Sequence, residues 1–195
     1  MSELKVAQIR SQQLQIDAQT IVEHYDLLNL LSPLGDVHLW GSLQYGLMMK
    51  RDIDFVIFNE QPTLDPLIEL ATRLMHFPGI CKVAVANHYI WPTLPGVPKS
   101  LYLSIKPIWN NQLWEIDIHV LKPEDQADRT MFPLNWYIKL TDEQRNSILL
   151  LKYQLIQEKR YGKDFYSTDV YRAVLYDNIC SIAGLEEWRK THVYT

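Results

Sequence analysis

Several large functional classes are marked by features this sequence lacks. Its 195 residues include only 2 cysteines. Cys81 and Cys180 lie far apart, with no C-x-x-C and no Cys/His spacing of the kind that holds zinc, so a structural zinc is not expected. The two isolated thiols read as small buried side chains. The 6 histidines (His24, His38, His76, His88, His119 and His192) are scattered, without H-E-x-x-H or any paired spacing. No stretch approaches the roughly 20 apolar residues needed to cross a bilayer. The first 25 residues hold no continuous apolar run, which gives a cytoplasmic expectation. Basic charge is also short: 19 Lys and Arg face 23 Asp and Glu, a net charge of -4. That balance argues against a nonspecific nucleic-acid coat, which depends on clustered Lys and Arg to neutralise phosphates. No internal repeat or low-complexity tract is present, so a solenoid is not expected either.

What is there is enough to fold. Apolar residues make up 47% of the chain, enough to bury a core. Leu14, Ala18, Ile21, Tyr25 and Leu28 recur at spacings of four and three, which predicts a helix from Leu4 to Leu31. Ser32-Pro33-Leu34-Gly35-Asp36 breaks it. Val37–Trp40 and Asp52–Phe58 read as strands, as do 80–89, 101–105 and 113–121. Asp65 to Phe77 carries a helical stripe of Leu67, Leu70, Ala71 and Leu74, stopped by Pro78-Gly79. Trp91 to Pro98 is too rich in proline for regular structure. Thr141 and Gln144 match a capping box at the head of a helix running to Arg160, and a second helix is expected from Ser167 to about Ala183. The pattern predicts an α+β fold: a small mixed β-sheet with helices packed on it, plus C-terminal helices. The division expected is 1–122 for the N-terminal helix and sheet, and 123–195 for a helical section packed on them.

Chemistry concentrates between Gly41 and Asp54. Asp52 and Asp54 are two apart on a strand, so both carboxylates leave from the same face. At about 5 Å and an effective dielectric of ~20 their repulsion costs about 3 kcal/mol. An ion pair or a hard divalent cation offsets it. Gly41-Ser42, at the exit of the preceding strand, offers unhindered backbone N–H groups and a hydroxyl to phosphate oxygens. In Trp114–Val120 alternation sets Glu115, Asp117 and His119 on one face. If that strand neighbours Asp52, Asp117 or Glu115 supplies a third acid, and such a triad can hold two metal ions for in-line phosphoryl displacement. His119 reads as a flanking residue rather than a ligand.

Gly41-Ser42, nine residues, Asp52-Ile53-Asp54-Phe55 and a later Ile116-Asp117-Ile118 together resemble the DNA-polymerase-beta-like nucleotidyltransferase superfamily. The resemblance covers Val37 to about Val120. It implies transfer of an NMP from an NTP to a hydroxyl of a small-molecule or protein acceptor, with release of pyrophosphate. It also implies that Gly41 and Ser42 hold the triphosphate. Asp52, Asp54 and Asp117 would then ligate two Mg²⁺ ions, with Glu115 as the alternative third acid, and Asp117 would help to activate the acceptor hydroxyl. A long nucleic acid is the less favoured acceptor for an acidic chain. The competing expectation is a nucleotide-binding or protein-interaction module that keeps the fold without turnover.

Overall fold

The structure is a computed structural model describing residues 1–91, 98–126 and 136–192. The chain forms two compact units, one of residues 16–45 and 50–134, the other of 1–15, 46–49 and 135–195.

The first unit is built on a mixed sheet. Its strands are β1 (Asp36–Trp40), β2 (Asp52–Phe58), β3 (Ile80–Asn87), β4 (Leu101–Trp109), β5 (Gln112–Leu113) and β6 (Glu115–Leu121). The order across the sheet is β1-β2-β6-β4-β3, with β5 paired to β4. β2 and β6 run parallel, and the other neighbours are antiparallel. Parallel neighbours need a long crossover, and here that connection contains both β3 and β4. Alternation decides which residues face the core. Ile53, Phe55, Ile57, Ile116, Ile118, Leu103 and Ile105 are almost fully buried. Helix α4 (Leu64–Leu74) packs beside β3 and β4 and buries the predicted stripe of Leu67, Leu70, Ala71 and Leu74. Removing the three leucine side chains from water stabilises the unit by roughly 1.5–3 kcal/mol each. The opposite face of the same strands is mixed, with Asp52, Asp54, Glu115 and Asp117 half-buried on it and Val56 and Leu121 buried further along.

Two helix boundaries differ from the sequence reading. The expected helix from Leu4 to Leu31 is two helices, α1 (Glu3–His24) and α2 (Leu27–Leu31). Asp26 separates them in a left-handed conformation (φ 49°), and the Asn29 amide bonds its carboxylate. Asp tolerates that conformation because its short side chain finds local partners. As a result Leu28, predicted on the buried stripe, is exposed. Near the C-terminus α6 (Ser167–Asp177) stops at Asn178 (φ 53°), and a separate α7 spans Ile182–Thr191. The cysteines also depart from expectation, because both Cys81 on the edge strand β3 and Cys180 before α7 are exposed. The predicted loop from Trp91 to Pro98 lies mostly outside the described residues, at positions 92–97.

In the second unit, α5 (Asp142–Gln157) opens with the predicted capping box, Thr141 Oγ1 accepting from the Gln144 N–H and Gln144 Oε1 from the Thr141 N–H. At the start of α6, Asp169 accepts from the Tyr166 N–H and pairs with Arg189 of α7 at 2.8 Å. Lys152 of α5 is 1% exposed; its ammonium donates to the Leu47 carbonyl at 2.6 Å and to the Tyr171 hydroxyl at 3.3 Å. The same ammonium lies 5.5 and 5.3 Å from the Tyr161 and Tyr171 ring centres. Lys152→Met keeps the stem but takes this donor from the buried Leu47 carbonyl. We expect it to cost about 1–3 kcal/mol, read as a lower urea midpoint at unchanged m-value. No helix among the described residues is long and apolar enough to cross a membrane.

Candidate active site

β2 and β6 lie side by side in register, Asp52 opposite Glu115 and Asp54 opposite Asp117. Neighbouring strands are about 4.8 Å apart, so this register alone sets four carboxylates on one patch of the polar face. Ile53 and Ile116, at 0% and 1% exposure, anchor the two strands from the apolar face. All four acids are half-buried. One carboxylate oxygen each of Asp52, Glu115 and Asp117 lies within 4.8 Å of the others. Asp54 belongs to the same face, with its carboxylate against the backbone of Gly41.

That contact depends on glycine. Gly41 has φ +66°, a conformation costly for side chains other than glycine. A Cβ built there collides with Asp54 Oδ2 and lies 2.9 Å from Asp54 Cγ. Gly41 directly follows Trp40, the register partner of Asp54 at the end of β1. Ser42 is the next residue, in the first turn of the short helix α3 (Gly41–Tyr45). The Gly-Ser pair and the acids therefore meet at one end of β1 and β2.

Strand β4 adds three polar residues to this face, which the acidic motif alone did not signal. Ser104 is the register partner of Asp117. Tyr102 donates from its hydroxyl to Asp117 Oδ1 at 2.6 Å, and Lys106 Nζ lies 2.6 Å from Glu115 Oε1. A trace of them is present in the sequence, where Tyr102, Ser104 and Lys106 alternate with Leu101, Leu103 and Ile105. His119 accepts or donates at Nδ1 to Ser100 Oγ (2.9 Å), which accounts for it as a flanking residue.

Burial raises the Asp117 pKa above the ordinary carboxylate range. The hydrogen bond from Tyr102 and the Lys106 charge pull it down, while the charge on Glu115 pushes it further up. Lys106 is raised, mainly by its hydrogen bond to Glu115. Burial, then the bond to Asp117, pushes the Tyr102 hydroxyl far up, so it stays a donor.

The donor set suits a hard divalent cation. It is all oxygen, closely grouped and negatively charged, and Mg²⁺ takes carboxylate oxygens at about 2.0–2.1 Å. Glu115 is paired with the Lys106 ammonium at 2.6 Å.

No protein-family model and no curated protein sequence matches the chain. Solved structures do. A chain of the poly(A) polymerase complex GLD-2–GLD-3 superposes with a TM-score of 0.59 at 12% identity, covering 96% of this chain and 63% of that one. A chain of the GLD-2/RNP-8 complex gives 0.55 at 11% identity, covering 97% of this chain and 62% of that one. The protein thus spans less than two thirds of either neighbour. At such identity the likeness is one of fold alone: a small mixed sheet with helices packed on it.

Proposed function

We propose that the protein is a divalent-metal-dependent nucleotidyltransferase that moves an NMP from an NTP to a hydroxyl of a small-molecule or protein acceptor. The observation that carries this reading is the carboxylate group of β2 and β6, built against Gly41-Ser42 on a fold shared with a polymerase. Asp52, Asp54 and Asp117 hold the metal, and Glu115 stays with Lys106. Two Mg²⁺ ions, when bound, neutralise phosphate charge and align the attacking and leaving oxygens. Gly41 and Ser42 bind triphosphate oxygens through backbone N–H groups and the Ser42 hydroxyl. The acceptor oxygen bonds to the α-phosphorus, the α–β bridging P–O bond breaks, and pyrophosphate departs. Asp117 takes the proton that the hydroxyl releases. Positioning and charge stabilisation supply most of the rate.

A second reading has support of its own, since one of the structural neighbours comes from a poly(A) polymerase complex, which makes an RNA 3′ hydroxyl an acceptor to include. The net charge of -4 weighs against a long nucleic acid. The test is transfer of α-labelled NTPs to panels of small molecules, proteins and short RNAs, with Mg²⁺ or with chelator. Label should reach one acceptor class, and only with metal. Metal-enhanced NTP binding without transfer to any panel would instead identify a binding module, and absence of NTP binding in Mg²⁺ would overturn the reading.

A further inference from the structure

The polar face carries a tyrosine that the transfer scheme leaves unused. In the antiparallel pair of β4 and β6, Tyr102 stands opposite His119 and Ser104 opposite Asp117. A tyrosine is long enough to reach a diagonal neighbour about 7–8 Å away across such a pair. The Tyr102 hydroxyl does so, donating to Asp117 Oδ1 at 2.6 Å.

The ring that delivers the hydroxyl is itself held. His88 stacks on it, with centroids 5.0 Å apart and planes 17° from parallel, and His119 lies at 4.9 Å on the neighbouring strand. Below the ring, Leu101 and Leu103 are buried at 3% and 0% exposure and hold the backbone of β4. A free aspartate turns about two torsions, and each rotamer sends its oxygens elsewhere. A short hydrogen bond from a neutral donor to a carboxylate is among the stronger kinds, and it selects one of those orientations.

We propose that Tyr102 is a positioning residue, whose hydroxyl keeps the Asp117 carboxylate in place beside Asp52 and Glu115 for metal binding. The inference rests on the nucleotidyltransferase reading above and adds a residue to it. Tyr102 touches neither metal nor substrate in this scheme. It acts through Asp117, as hydrogen-bonded partners orient ligating carboxylates elsewhere.

Tyr102→Phe removes the hydroxyl and keeps the ring against His88 and His119. The readout is Mn²⁺ binding to the full chain, followed by electron paramagnetic resonance of the free ion, together with a thermal melt without metal. Mn²⁺ affinity is expected to fall about 10–100-fold, the usual effect of losing such a partner. Tyr89→Phe is the control, because Tyr89 also donates to a carboxylate, Asp125 Oδ2 at 3.1 Å, away from the acidic cluster. It should leave Mn²⁺ binding unchanged. On an Asp117→Ala background, which leaves the Tyr102 hydroxyl no carboxylate to hold, Tyr102→Phe should produce no further loss. Equal Mn²⁺ affinity in wild type and Tyr102→Phe would overturn the inference alone, as would a full additional loss on the Asp117→Ala background. A wild-type chain that binds no Mn²⁺ would overturn both the inference and the metal-dependent reading beneath it.

Discussion

Replacing Asp117 by Asn should lower nucleotidyl transfer on the order of 10³-fold or more while leaving the metal-free fold at least as stable as wild type. The two halves of this result have one cause. Asp117 is half-buried among Asp52, Asp54 and Glu115, so its charge is costly until a cation arrives. Asn has the same shape and still offers an oxygen to the Tyr102 hydroxyl, so the network of β4 and β6 loses little. Its pH dependence has a definite sign. The folded pKa of Asp117 is raised, so its contribution to stability is full below the unfolded carboxylate value and is lost as pH rises through the folded one. The metal-free advantage of Asp117→Asn should therefore be seen near neutral pH and vanish in acid. Melts across pH measure it, and adding Mg²⁺ should reverse the order by raising the wild-type Tm alone. If Asp117→Asn transferred label at the wild-type rate, Asp117 would not be the third acid, and Glu115→Gln would be examined in its place.

How far the sequence could see is clear from individual residues. The β2 and β6 motifs were legible because a period of two fixes the face of each side chain without knowledge of the neighbour. Asp52, Asp54, Glu115 and Asp117 do share a face, and β2 and β6 are adjacent. What alternation cannot supply is register between distant strands. Ser104 opposite Asp117, and Lys106 on Glu115, follow from how β4 is laid against β6, which is a long-range outcome of core packing. The helix breaks were hidden for a local reason. Asp26 and Asn178 take left-handed conformations that sequence reading assigns first to glycine. The grouping of residues 46–49 with the C-terminal helices, to which Lys152 bonds at Leu47, had no local signal at all.

Gly41→Ala should lose transfer activity about as completely as removal of a metal-binding acid, on the order of 10²–10³-fold. The added methyl meets two separate obstacles. At φ +66° the left-handed backbone costs an alanine roughly 1–2 kcal/mol. The new Cβ also falls on Asp54 Oδ2, with Asp54 Cγ at 2.9 Å and Asp54 Cβ at 3.2 Å. The backbone of β2 is pinned by Ile53 and Phe55, both 0% exposed, so the strand cannot retreat. The Asp54 side chain is the part that can move, and rotating it takes the carboxylate away from the position it holds beside Gly41. The fold should therefore survive with a modest loss of stability while the site fails. A double-mutant cycle separates the two obstacles. In an Asp54→Ala background the collision partners beyond Cβ are gone, so Gly41→Ala should cost only the backbone penalty and no further activity. Equal activity losses from Gly41→Ala in both backgrounds would mean that Gly41 serves the triphosphate directly and that its contact with Asp54 is incidental.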